Sequence, residues 1–101
     1  MGKELQAREL RDGRVELTLG RCVPVVVSLK TYAGHSRAEL FRLVAVLTLV
    51  AHYFSEEQGC LLPMRTGRFI EDPEAERFVL APEGPQGAFD KFSVPRACAF
   101  R

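Results

Sequence analysis

The chain lacks an excess of charge of either sign. Its 14 basic and 13 acidic residues leave a formal net charge of +1, which excludes a whole-molecule attraction to nucleic acid or to an anionic membrane surface. Cysteine is scarce as well: Cys22, Cys60 and Cys98 are odd in number and widely spaced, and no two of them form the CxxC half of a zinc site. Free thiols in a reducing cytoplasm are therefore expected, with each cysteine acting as a small buried hydrophobe. The opening residues Met1-Gly2-Lys3-Glu4 are charged and bring no apolar h-region, so a secretory signal is not expected. Gln6 breaks the pattern of a myristoylation signal. No apolar run reaches the length of about 20 residues that a membrane span needs. The longest runs from Ala38 to Phe54 and includes Arg42 and His52. Repeats, low-complexity tracts and linkers are absent too.

What is present suits a globular chain. At 101 residues and 47% apolar, residues 1–101 are expected to form one α+β domain around a single core. Residues 3–10, KELQAREL, alternate loosely. Asp12-Gly13 then reads as a two-residue hairpin turn. RVELTL alternates cleanly, with Val15, Leu17 and Leu19 on one side. In CVPVVVSLK the residues Val23, Val25, Val27 and Leu29 keep one phase, and Pro24 suits an edge strand or a strand start. RFIE and ERFVL flank DPEA, where Pro73 fits a type I turn, so a second hairpin with an acidic tip is expected. APEGPQG reads as a loop, and FDKFSV and ACAF as one or two further short strands.

Between the two hairpins lies SRAELFRLVAVLTLVAHYFSEEQG. Ser36 and Glu39 make the S-x-x-E capping box of a helix start, and Gly59 fits the position just past a helix end. A helix over residues 37–58 would be about 33 Å long. At 100° per residue, Leu40, Leu43, Val44, Leu47, Val50, Ala51 and Phe54 form the stripe that packs on a sheet. The opposite side should be polar, yet it carries Ala45, Val46, Leu49 and Tyr53, with Arg42 and Glu56 at its ends. A helix apolar all round is either wrapped by its own chain or uses its second face as a contact. Only residues 59–101 follow it to cover both faces.

Residues with chemical potential are few. His35-Ser36 invites a nucleophile reading, but G-H-S-R-A lacks the second glycine of a nucleophile elbow, and capping accounts for Ser36. Nothing in the spacing of the cysteines and of His35 and His52 predicts a metal site or a reactive thiol. Arg65 and Arg68 in MRTGR offer two guanidinium forks for an anion, without a phosphate-binding glycine pattern. Glu71, Asp72, Glu74 and Glu76 lack the spacing of a calcium loop.

The expected fold is α+β: an antiparallel sheet, built from an N-terminal meander and a second hairpin, packed on one long central helix in the order ββ(β)αββ(β). The expected function is non-enzymatic protein binding in the cytoplasm. The contact would use Arg42, Val46, Leu49, Tyr53 and Glu56, with a second copy or another protein as partner. No catalytic residue, metal or cofactor is expected, and no membrane partner. The alternatives are a nucleic-acid-associated module using the eleven arginines and a small hydrolase or thiol enzyme.

Overall fold

In the computed structural model the alternating segments become strands: β1 (Leu5–Glu9), β2 (Arg14–Leu19) and β3 (Val25–Ser28) precede the helix α1 (Arg37–Glu57). After it come β4 (Arg68–Asp72), β5 (Arg77–Ala81), β6 (Val94–Pro95) and a 3-10 turn at Arg96–Cys98. The structure describes residues 4–57, 59, 67–81 and 93–100, with the side chains of 52–57 outside that description. The class is α+β and the order of elements is the expected one. ACAF forms the 3-10 turn and its exit rather than a strand, and residues 82–92 lie outside the described residues.

The six strands form one sheet in the order β1-β2-β3-β4-β5-β6. Two antiparallel blocks, β1-β2-β3 and β4-β5-β6, are joined by a parallel pair in which Val25 faces Phe69 and Val26 faces Ile70. The sheet is thus mixed rather than wholly antiparallel. The reason is the helix: the chain leaves the sheet at the far end of β3, and the long crossover carries it back to the end at which β3 began, so β4 runs parallel to β3. Pro24 stands just before β3, where no ladder donor is needed, and its carbonyl accepts a hydrogen bond from Phe69 N at 2.8 Å.

Side-chain alternation sorts the two sheet faces. Val15, Leu17, Leu19, Val25, Val27, Phe69, Phe78, Leu80 and Val94 are buried on the inner face, against Leu43, Val44, Leu47 and Ala51 of α1. On the outer face Glu16 receives Arg8 at 2.9 Å and Arg68 at 3.5 Å. Such exposed pairs add little stability but favour one register. Val26, in the same outer row, is buried too, so β3 is covered on both faces as a central strand should be.

Local chemistry sets the connections. The first hairpin closes on Leu10 N to Arg14 O at 2.8 Å, with Gly13 N donating to Leu10 O at 3.3 Å. Only Gly13 has positive φ there, so the loop is the three-residue type I turn with a glycine bulge rather than a two-residue turn. The Asp12 carboxylate accepts from Arg14 N and Arg14 Nε, which favours this form. The second hairpin turns through residues 73–76 as the Pro73 reading requires.

The helix begins as a capping box. Glu39 N donates to Ser36 Oγ at 3.2 Å, and Ser36 N donates to Glu39 Oε1 at 2.9 Å. The backbone N–H and then the hydroxyl of Ser36 hold the Glu39 carboxyl below its usual acid range. A carboxyl lowered in the folded state stabilises fully above its unfolded pKa and loses that contribution as pH falls through the folded value. Ser36→Ala should therefore raise the Glu39 carboxyl toward its ordinary value in an NMR titration. It should also lower stability in urea by about 1 kcal/mol at neutral pH, a gap that narrows in acid. A Ser36→Ala variant as stable as the wild type at neutral pH would mean that the Ser36 hydroxyl does not cap the helix.

Candidate functional site

Two surfaces stand out once the core is set aside. The first is the back of α1. Leu49 is 68% exposed and Phe41 38% exposed, both large and apolar. Arg42 is exposed as well, whereas Val46 is half-buried and Ala45 packs at the margin of the core. The side chains of Tyr53 and Glu56 lie outside the described residues. Side-chain direction explains the bare strip: Leu47 and Ala51 on either side of Leu49 are buried in the core, and Leu49 points away from it. Thr48 hides its hydroxyl by donating to Val44 O at 2.9 Å, which makes the flank still less polar.

The second surface was not foreseen from the sequence. The β3–α1 loop, the tip of the β4–β5 hairpin and the C-terminal turn converge on a cleft of about 420 Å³. Its lining includes Tyr32, His35, Glu76, Arg96 and Phe100. Three rings pack together there: Tyr32 lies 5.1 Å from His35 and 5.5 Å from Phe100, and His35 lies 5.1 Å from Phe100, centroid to centroid. These spacings are those of direct aromatic contact.

Beneath the rings sits a buried acid. The Glu71 side chain is only 2% exposed. Its Oε1 accepts from Ser28 N at 3.2 Å, and its Oε2 accepts from Arg96 Nη1 at 3.2 Å. A carboxylate survives burial only when paired and hydrogen-bonded. The Arg96 guanidinium also lies 6.0 Å from the centre of the Tyr32 ring. Burial, and then the Glu71 charge, push the Tyr32 hydroxyl well above its usual pKa, with Arg96 opposing. Although Glu71 is close enough to exert that effect, Tyr32 Oη is buried without a hydrogen-bond partner. Glu76 adds backbone strain at the rim, with φ at +53°. Arg96 N holds the Glu76 carbonyl at 2.7 Å.

The other sequence candidates take quieter places. Arg68 finds its anion within the chain, at Glu16, and Arg65 lies outside the described residues. Ser36 Oγ serves the cap, and the His35 ring rests on Tyr32 and Phe100. Cys98 is exposed and Cys22 half-buried, which corrects the expectation of buried thiols: in the C-terminal turn the core position goes to the neighbouring Ala99. Cys60 and the side chain of His52 lie outside the described residues. Several arginines of the described residues work within the fold, among them Arg8, Arg14, Arg68 and Arg96 on carboxylates and Arg37 on Leu5 O. Among the described residues no helix is long and apolar enough to cross a membrane, and no three His, Cys, Asp or Glu side chains converge as metal ligands.

Removing the Arg96 guanidinium would strand Glu71. Arg96→Ala should cost about 3 kcal/mol in urea unfolding, the low end for a broken buried pair, because the arginine itself is partly exposed. Adding Glu71→Gln to that variant should restore part of the loss, since the amide carries no charge to strand. Strictly additive losses in this cycle would show that the two side chains do not act as a pair.

No family model matches the chain, and no curated protein or solved structure does either.

Proposed function

We propose that this protein works by binding rather than by catalysis, in the cytoplasm, and that its partner docks on the second face of α1. A second copy of the chain is the concrete partner. The observation that carries this reading is the exposure of Leu49, 68%, near the middle of a helix apolar on every side. A large apolar side chain left in water on such a helix favours a contact that covers it. In a twofold dimer one patch serves both subunits. Free thiols at Cys22 and Cys98 are in keeping with a reducing compartment.

Light scattering of the wild type should give twice the chain mass of 11.3 kDa. Leu49→Lys should halve that mass, because it places two charges at the crossing point. Circular dichroism of the variant should keep its helical signal, since Leu43, Leu47 and Ala51 are untouched and a surface change costs a monomer within about 0.5 kcal/mol. A wild type of single-chain mass would refute the second copy as partner.

A further inference from the structure

We propose that the cleft between the β3–α1 loop and the C-terminal turn binds a small planar carboxylate, gripped by Arg96 and seated on the rings of His35 and Phe100. The site is independent of the back of α1 and does not rest on the dimer.

The argument starts from the arginine. Among the described residues, Nη1 alone of its donors is engaged in a side-chain hydrogen bond, with Glu71. The edge formed by Nε and Nη2 has no partner among the described residues, and Arg96 lines the cleft. Two parallel N–H groups on one edge are the fork that accepts a carboxylate in bidentate fashion. Glu71 fixes that fork in advance. Its side chain is 2% exposed, it is tied to β3 through Ser28 N, and it holds the guanidinium from behind. The Tyr32 ring limits the guanidinium from a second side. An arginine so restrained gives up little rotamer entropy on binding.

The walls select the rest of the ligand. His35 is exposed and Phe100 half-buried, and their rings touch at 5.1 Å. Their planes are inclined at 40°, so a ligand ring stacked on one meets the other at an angle, and with Pro95 they form a largely apolar wall of the cleft. At about 420 Å³ the cleft falls at the small end of the range of roughly 300–1,000 Å³ typical of ligand pockets. An aromatic or short aliphatic acid suits it. Glu76, which also lines the cleft, disfavours ligands with a second negative charge, such as phosphate dianion.

Benzoate is the probe. Titrated into the full chain and followed by NMR, it should shift the Arg96 Nε–H resonance and the His35 and Phe100 ring signals along one saturating curve, with Kd near 1 mM. Acetate, without a ring, and inorganic phosphate should each bind at least about tenfold more weakly, as pairing without stacking or without planarity implies. Benzylamine should leave Arg96 unmoved. His35→Ala removes an exposed ring and should weaken benzoate without unfolding the chain. Arg96→Lys keeps the charge but loses the fork, and should weaken it at least about tenfold. The proposal is overturned if benzoate leaves Arg96 Nε–H unshifted, if acetate or phosphate binds as tightly, or if benzylamine binds better. Should Arg96→Lys fail to fold, the wild-type Arg96 Nε–H shift and the His35→Ala titration decide the matter by themselves.

Discussion

One helix has to cover a sheet of six strands, and most of what is unusual here follows from that mismatch. Neighbouring strands lie about 4.8 Å apart, so the sheet is about 24 Å wide from first to last axis, whereas a helix with its side chains is about 10 Å across. The shortfall is met differently at each side. Beyond β5 the C-terminal segment folds in, burying Val94 and Ala99 and laying Phe100 against the core. Toward β1 nothing described completes the cover, and Ala7 and Glu9 stay exposed although they share the inner face with Leu17 and Val15. Leu29 is left 50% exposed near the same end. The helix is too narrow for the sheet, and Leu49, which points away from it between the buried Leu47 and Ala51, is left bare.

The buried pair of Glu71 and Arg96 is what lets the C-terminal segment act as a cover. Short turns at a chain end fray unless tied down. Here the guanidinium carried by that turn reaches a carboxylate on β4, which in turn takes the backbone N–H of Ser28 at the end of β3. The pair joins the two central strands to the last turn in one network. It need not add net stability over an apolar substitute. Its geometry does fix where Arg96 points, and the cleft above it owes its fork to that constraint.

Much of the architecture was legible. The S-x-x-E box at Ser36 and Glu39, the clean alternation of RVELTL and the Pro73 turn each appear where their residues require. Leu49 was legible as an apolar residue on the wrong side of a helix. The parallel pair was implicit in a long helical crossover but was not drawn out, and the triple valine of β3 was a sign of burial on both faces. The cleft left one trace: in RFIED, Glu71 shares the inward phase of Phe69. A charged residue at a core position needs a partner, yet Arg96 lies 25 residues away, and no local pattern names so distant a residue. The exposure of Cys98 and the 3-10 form of ACAF depended on docking of the C-terminal segment, which periodicity does not reveal.

The central claim is that Leu49 is bare in the single chain and covered in the working assembly. The direct measurement is the broadening of methyl resonances by a paramagnetic co-solute, followed from micromolar to millimolar protein. In dilute protein the Leu49 methyls should broaden strongly while those of Leu17 do not. As concentration rises, Leu49 and Val46 should become protected together, with Leu17 unchanged. A Leu49 that stays equally accessible at every concentration would contradict the account, and one already shielded in the dilute monomer would contradict the fold on which it rests.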